Sequence, residues 1–151
     1  MNTLIIRTYR EKDLDNITAL TNQLGYPTTA DEMRQRMQLL SEDENYKTIV
    51  AAINDEAVGY AGLVKGLYWE KNGCFVRIQA LVVNHQYRNR RIGKQLIDAA
   101  EQWGKEIHAK ALLLNCGIKP EREGAHLFYP RMGFAATSKG YYKPVTEPLS
   151  L

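Results

Sequence analysis

Apolar residues recur at strand-like and helix-like spacings along the chain, and these spacings predict an order of elements. Residues 4–9 are rich in strand-favouring side chains and predict a short first strand. Helical spacing follows at Leu14, Ile17, Leu20 and Leu24. Gly25 and Pro27 end that helix, and Thr29 with Glu32 forms the capping-box pattern that opens a second helix. The chain therefore begins with a strand and two helices.

The middle of the chain predicts strands. Residues 48–53 and about 57–68 are strand-like and flank a polar turn, which predicts a hairpin. Residues 75–83 predict a longer strand with apolar residues on both faces, which is typical of a central strand in a covered sheet.

Helices alternate with strands in the last third. One apolar helix face carries Ile92, Leu96, Ala100, Trp103 and Ile107. Residues 111–114 predict a short buried strand, Pro120 suits the first turn of another helix, and residues 133–143 can supply a final strand or hairpin. The order β-α-α-β-β-β-α-β-α-β predicts an α/β domain with a mixed sheet.

Length and composition narrow the class of protein. With 151 residues, of which 44% are hydrophobic, we expect one domain over residues 1–151. No window approaches ~18 consecutive apolar residues and the first residues lack a signal-peptide pattern, so we expect a cytoplasmic protein with no membrane contact. Cys74 and Cys116 fit neither a disulfide scaffold nor a zinc site, and no metal is expected.

The loop after the long strand carries the candidate chemistry. Residues 88–94 contain no carboxylate and four cations, namely Arg88, Arg90, Arg91 and Lys94. The loop ends at a helix N-terminus, where free backbone N–H groups favour an anion, and Gly93 permits close approach of the backbone. This pattern predicts a cradle for phosphates, and a solvated basic turn remains the alternative. Neither a Walker loop nor a dinucleotide fingerprint is present, which disfavours ATP and NAD.

Residues 78–134 resemble the GNAT N-acetyltransferases through two motifs in the right order. The signature Arg/Gln-x-x-Gly-x-Gly/Ala is matched by Arg88-Asn89-Arg90-Arg91-Ile92-Gly93, with Arg91 in place of the middle glycine. The second motif is Arg122-x-x-Ala125-His126-x-Phe128-Tyr129-x-x-x-Gly133-Phe134. The resemblance implies a mixed, mostly antiparallel central sheet flanked by helices, with a splayed parallel strand pair at the cofactor site.

The resemblance also implies acetyl-CoA as the co-substrate and assigns residues to it. The backbone of Leu81, Val82 and Val83 would pair with the pantetheine arm. The phosphate loop would comprise Arg88, Asn89, Arg90, Arg91, Ile92, Gly93 and Lys94. Tyr129 would protonate the departing thiolate. Asn115 resembles polar residues that contact the cofactor arm, and a strand-ending cap is the equal alternative.

Two features of the resemblance lead to further expectations. A positive φ at Arg91 would cost about 1–2 kcal/mol, so we expect an ordinary backbone there, with the side chain on a phosphate. No carboxylate stands at Gln79 or Ala80, where several family members carry one. We therefore expect deprotonation of the amine through water, with Glu70, His85 and His126 as the residues that could assist.

The expected acceptor is a primary amine of a small molecule. Specificity would come from the first two helices and the hairpin, where Tyr26, Tyr46, Tyr68 and Trp69 could line a pocket. A peptide or protein amine and a non-catalytic acyl-CoA sensor are the alternatives. Nucleic-acid binding would need a wider basic face than a net charge of +3 suggests, and no such partner is expected. A homodimer is compatible with the resemblance and is not readable from the sequence.

Overall fold

The computed structural model describes residues 3–88, 90–115 and 123–145, with side chains in the last range from residue 127 onwards. The chain forms two compact units, residues 1–114 and residues 115–151. A single domain over the whole chain stays a prediction. Within the described ranges, no helix has the length and apolar content needed to cross a membrane.

The first unit contains five strands and three helices. In chain order they are β1 Leu4–Thr8, α1 Leu14–Leu24, α2 Ala30–Glu42, β2 Tyr46–Ile53, β3 Glu56–Leu67, β4 Cys74–Val83, α3 Ile92–Glu106 and β5 Leu112–Leu114. Short 3₁₀ turns occupy Glu11–Asp13 and His85–Tyr87. In the described part of the second unit, α4 spans Glu123–Arg131. The predicted element order is confirmed up to this helix.

The strands form one sheet in the order β1-β2-β3-β4-β5. The first four are antiparallel neighbours, and β5 pairs with β4 in parallel. The predicted mixed, mostly antiparallel sheet is confirmed. The predicted final strand is wrong for residues 133–143, which are described without a strand. From Ala135 to Val145 every side chain is exposed, so this segment buries no face of the kind that stabilises a strand.

Helices cover both faces of the sheet. Val50 and Ala52 of β2 belong to a buried cluster with residues of α1 and α2. Their neighbours Ile49 and Ala51 are also buried, and alternation along a strand points them to the opposite face. The buried stripe of α3 packs there, and a Cβ added to Gly59 of β3 would lie 3.4 Å from Leu96 Cδ1 and 3.0 Å from the Val82 carbonyl oxygen. The sheet is therefore held between α1–α2 and α3.

Local sequence signals fix the ends of the first two helices. Gly25 follows α1 with φ +107°, a conformation that glycine adopts without strain. The Thr29 hydroxyl accepts a hydrogen bond from Glu32 N at 3.2 Å, and the Glu32 carboxylate accepts one from Thr29 N at 3.0 Å. The predicted capping box is confirmed, and it sets where α2 begins.

A buried ion pair ties β1 to the turn before α1. Arg7 donates two hydrogen bonds to the Asp13 carboxylate at 2.7 and 2.8 Å, and Arg10 N donates a third at 2.8 Å. The Asp13 side chain is only 1% exposed. Burial opposes ionisation of Asp13, but the hydrogen bonds from Arg7 and Arg10 outweigh it and hold the pKa of Asp13 below its ordinary value.

This pair makes the stability of the fold depend on pH. The unfolded pKa of Asp13 is about 3.9, so the ionised pair stabilises the fold above that pH and the contribution is lost as pH falls through the lower folded pKa. We expect Asp13→Asn to reduce the free energy of unfolding by about 3 kcal/mol at pH 7, with the gap to the unsubstituted protein narrowing below about pH 4. Urea titrations at several pH values measure both quantities.

Asp31→Asn is the matched control, because Asp31 pairs with Arg34 on an exposed helix face at 2.9 Å. We expect it to cost under about 1 kcal/mol at any pH. Equal costs for the two substitutions at pH 7, or a gap for Asp13→Asn that does not change with pH, would contradict this role of the buried pair.

Candidate functional site

Strand β4 has an open backbone edge at its C-terminal end. Its pairing with β5 covers only Val76 to Ile78, whereas β4 continues to Val83. On the other side, β3 pairs with Leu81, Val82 and Val83. In the described residues no strand therefore pairs with the β5-facing edge at 81–83. Main-chain N–H and C=O groups along such an edge can pair with an amide-bearing ligand.

A β-bulge lies where the edge opens. The β3 register passes from Gly62 opposite Ala80 to Leu63 opposite Ile78, so Gln79 is the additional residue in β4. A bulge bends its strand and increases the local twist. The bend falls directly after Ile78, the last residue paired with β5. The bulge would favour separation of the two strands beyond this point, and the predicted splay of the pair stays a prediction.

The turn that follows β4 is fixed by side-chain amides. The Asn84 side-chain oxygen accepts a hydrogen bond from Gln86 N at 3.0 Å and caps the 3₁₀ turn. The His85 backbone N–H donates to Gln23 Oε1 of α1 at 3.1 Å. These contacts anchor the start of the basic loop to the sheet and to α1. Sequence reasoning missed Gln23, because a contact over 62 positions leaves no local signal.

The four predicted cations have different surroundings. Arg90 lies over the Tyr87 ring, with 5.1 Å between the guanidinium carbon and the ring centroid. Lys94 forms an exposed ion pair with Asp98 at 2.8 Å. Arg88 and Arg91 are exposed and form no ion pair with any described residue. Charge at this loop thus remains available to an anionic ligand.

The phosphate-cradle prediction depends on the start of α3, and the backbone there differs from the expectation. Arg91 is the N-cap residue, with φ 60° and ψ 19° in the left-handed region, and its side chain makes no capping hydrogen bond. The expectation of an ordinary backbone at Arg91 is therefore wrong. The turn that enters the helix needs a positive φ, which is why glycine suits this position in similar sequences. The first N–H groups of α3 have no acceptor within the helix, which suits an anion.

Two of the other predicted cofactor residues, Ile92 and Gly93, lie in the first turn of α3. Ile92 is buried and anchors the first turn of α3 to the core, and Gly93 is half-buried directly after it. Asn115 follows β5 immediately, and its side chain is exposed. Asn89 lies outside the described residues. The first unit thus brings together the β4 edge and the start of α3, two parts that the sequence could place only by resemblance.

Tyr129, the predicted proton donor, lies in the second unit within an aromatic cluster. Its half-buried ring meets Phe128 at 5.4 Å and Phe134 at 6.0 Å between centroids, both edge to face. Its carbonyl accepts hydrogen bonds from Met132 N and Phe134 N at the end of α4. Arg122 lies outside the described residues, and nothing is described of the His126 side chain.

Groups that could assist deprotonation or hold a ligand are sparse on the described surface. Glu70 and His85 are both exposed, and Gln79 is exposed at the bulge. Of the aromatic residues expected to line an acceptor pocket, Tyr26 and Trp69 are largely exposed, whereas Tyr46 and Tyr68 are half-buried. Among the described residues, no group of three His, Cys, Asp or Glu side chains is placed to hold a metal ion.

A separate cavity of about 720 Å³ borders α2. Its lining comprises Tyr9, Glu11, Leu14, Arg34, Met37, Gln38, Ser41 and Glu42. None of these residues belongs to the β4 edge or to the basic loop. The cavity is therefore distinct from the candidate cofactor site.

Comparisons with known proteins identify a family and a relative of this chain. The sequence model of the family described as acetyltransferase (GNAT) family matches residues 12–134. An aminoalkylphosphonate N-acetyltransferase of Salmonella typhimurium strain LT2 is 31% identical over 128 residues, which is 82% of this chain and 79% of that protein.

Solved structures are similar over nearly the whole chain. A GNAT family acetyltransferase from Staphylococcus aureus USA300_TCH1516 has a TM-score of 0.81 and 25% identity, covering 96% of this chain and 100% of that one. The aminoglycoside N-acetyltransferase AAC(6')-Iy, solved in complex with CoA, has a TM-score of 0.83 and 20% identity, with 97% of each chain covered. At 20% identity, the similarity to AAC(6')-Iy shows a shared fold.

The backbone at Arg91 can be tested by two substitutions that remove the same charge. We expect Arg91→Gly to have a free energy of unfolding about 1 kcal/mol larger than Arg91→Ala, because only glycine adopts a positive φ without strain. Urea denaturation of the two variants measures the difference. At an ordinary helical φ alanine would instead be the more stable by about 0.5–1 kcal/mol, so that order would contradict the left-handed cap.

Proposed function

This chain belongs to the GNAT family of acetyltransferases, and on that premise we propose that it transfers an acetyl group from acetyl-CoA to a primary amine of a small molecule. One observation carries the proposal. The open edge of β4 at Leu81–Val83 is followed in the chain by Arg88, Arg90 and Arg91 and then by the N-terminus of α3.

Acetyl-CoA matches this arrangement in its chemistry. Its pantetheine arm contains amide groups, which can pair with backbone N–H and C=O groups of Leu81, Val82 and Val83 as an added strand would. Its pyrophosphate suits the N–H groups at the start of α3 and the cations of residues 88–94. The complex of AAC(6')-Iy with CoA supports the same ligand class for a chain of this fold. Asn115, beside β5, is proposed as a further polar contact.

The proposed acceptor follows from the curated relative. That protein is named for aminoalkylphosphonates, which are small amines, and it is 31% identical to this chain. An amine attacks the thioester carbonyl carbon, the new C–N bond forms, and the C–S bond breaks with loss of thiolate. The ammonium proton of the acceptor passes to water, because β4 carries no carboxylate near its open edge. The departing thiolate takes a proton from Tyr129, and the second proton that the nitrogen loses on forming the amide passes through water to restore the Tyr129 phenol.

Tyr129 suits the last step by its chemistry. A phenol with an ordinary pKa near 10 can donate a proton to a thiolate whose conjugate acid has a pKa near 8.5 when the two groups are held together. The packing of its ring between Phe128 and Phe134 limits its movement within the second unit. This role rests on the motif that contains Tyr129 and stays a proposal.

A non-catalytic acyl-CoA sensor is the second candidate. The absence of a carboxylate from the sequence of β4 near the bulge is the observation that favours it, since an alkylammonium near pKa 10.4 must lose a proton before it attacks. The sensor would keep the cradle at residues 88–94 and would release no thiol.

The two candidates are separated by following free thiol release from acetyl-CoA. The purified chain is mixed with a panel of primary amines that includes aminoalkylphosphonates, aminoglycosides and short peptides. We expect thiol release that depends on a small amine. Binding of acetyl-CoA without release on any amine favours the sensor, release on peptides alone favours a peptide acceptor, and no binding of CoA would overturn both candidates.

Substitution of Tyr129 tests the proton donor. We expect Tyr129→Phe to lower kcat by roughly 10- to 10⁴-fold with little change in the Kd for CoA, because the ring is kept and only the hydroxyl is removed. Phe128→Leu is the control for packing of the same cluster, and we expect it to affect stability more than kcat. An unchanged kcat in Tyr129→Phe would remove this residue from the mechanism.

A further inference from the structure

Arg36 of α2 is held toward the connection between α1 and α2. Its Nη2 donates to the Thr28 hydroxyl at 3.2 Å, and its Nη1 lies 3.1 Å from the Met33 sulfur. The side chain is exposed, yet both contacts direct the guanidinium toward the N-terminus of its own helix. A guanidinium has five N–H donors, so two contacts leave donors for a ligand.

The neighbours of Arg36 place it on the sheet face that continues to the open edge of β4. The hydroxyl groups of buried Tyr60 in β3 and of Thr21 in α1 form a hydrogen bond at 2.6 Å. Tyr60 is the cross-strand partner of Val82, and both belong to the cluster that packs under α1 and α2. Adjacent strands are about 4.8 Å apart, so this face is one strand away from the proposed pantetheine site.

The charge of Arg36 also reaches this face. Burial raises the pKa of Tyr60, while the hydrogen bond with Thr21 and the positive charge of Arg36 act in the opposite direction. Met33 provides the contact, because its sulfur lies 3.1 Å from Arg36 Nη1 and 3.9 Å from the Thr21 hydroxyl that pairs with Tyr60. The Arg36 guanidinium and the Thr28 hydroxyl thus lie together at the start of α2, where the Glu32 carboxylate also accepts a hydrogen bond from Thr28 at 3.5 Å.

In contrast to Arg34, Arg36 forms no ion pair with any described residue. Arg34, two residues earlier on the same helix, pairs with Asp31 at 2.9 Å and lines the separate cavity that borders α2. Arg36 has no carboxylate partner among the described residues. An exposed arginine held by neutral side chains keeps N–H donors for a carboxylate or phosphoryl group.

We propose that Arg36 binds the anionic group of the acceptor, so that the enzyme prefers primary amines that also carry a carboxylate, phosphonate or phosphate. The proposal rests on the proposed function and names the acceptor class for it. Arg36 would hold the acidic end, and the amine of the same molecule would extend past the α1–α2 connection, where Thr28 bonds Asn22 and Gln23 bonds His85 N, toward the C-terminal end of β4. A polycationic amine would be repelled at this position.

Acceptors that differ only in the acidic group provide the test. The probes are 2-aminoethylphosphonate, β-alanine and propylamine. The variant is Arg36→Met. The matched control is Arg34→Met, which also removes one arginine from α2. For the unsubstituted chain we expect kcat/KM to be highest for the acidic amines. Arg36→Met should lower it about 10- to 100-fold for these and under threefold for propylamine, while Arg34→Met should leave the preference unchanged. The ratio of kcat/KM for 2-aminoethylphosphonate to kcat/KM for β-alanine identifies the preferred acidic group.

Calorimetric binding of 2-aminoethylphosphonate in the presence of CoA keeps the test independent of turnover. Binding that is lost in Arg36→Met and kept in Arg34→Met supports the role of Arg36. It does so even where no amine releases thiol, because absence of thiol release would count against the proposed function alone. Equal affinity in both variants, no binding to the unsubstituted chain, or equal turnover of propylamine and the acidic amines would overturn the role of Arg36.

Discussion

The edge of β4 that faces β5 is the constraint on which the proposed chemistry depends. β5 has three residues and stops beside Ile78, whereas β4 continues through the bulge at Gln79 to Val83. Main-chain N–H and C=O groups along this edge have no strand partner among the described residues, so they can pair with a ligand. Strand β4 ends in a short turn, and the N-terminus of α3 follows that turn in the chain. A ligand with amides at one end and phosphates at the other matches both features.

Much of the first unit could be predicted because its signals are local. The capping box of Thr29 and Glu32, the glycine at position 25 and the amphipathic stripe of α3 each act within a few residues, and each is present as predicted. The hairpin of β2 and β3 is also confirmed, because its polar turn at residues 54–56 interrupts two strand-like runs. These elements position the open edge without being part of it.

The features that could not be predicted depend on register and on contacts between distant residues. The bulge at Gln79 exists only relative to β3, and a single sequence does not contain the register. Arg91 adopts a positive φ that its residue type disfavours, because the path from the turn to α3 imposes it. The ion pair of Arg7 with Asp13 joins a strand to a turn, and neither spacing nor residue type singles it out. Residues 133–143 were expected to supply a final strand or hairpin, but every described side chain from Ala135 to Val145 is exposed and no strand forms there.

The central claim is that main-chain groups at 81–83 and 88–94 bind CoA. An amide NMR titration of the 17.2 kDa chain with CoA tests it directly. We predict that the largest chemical-shift changes fall on these two segments and saturate together. Changes confined to the cavity bordered by Tyr9, Met37 and Ser41, or no changes at saturating CoA, would contradict it.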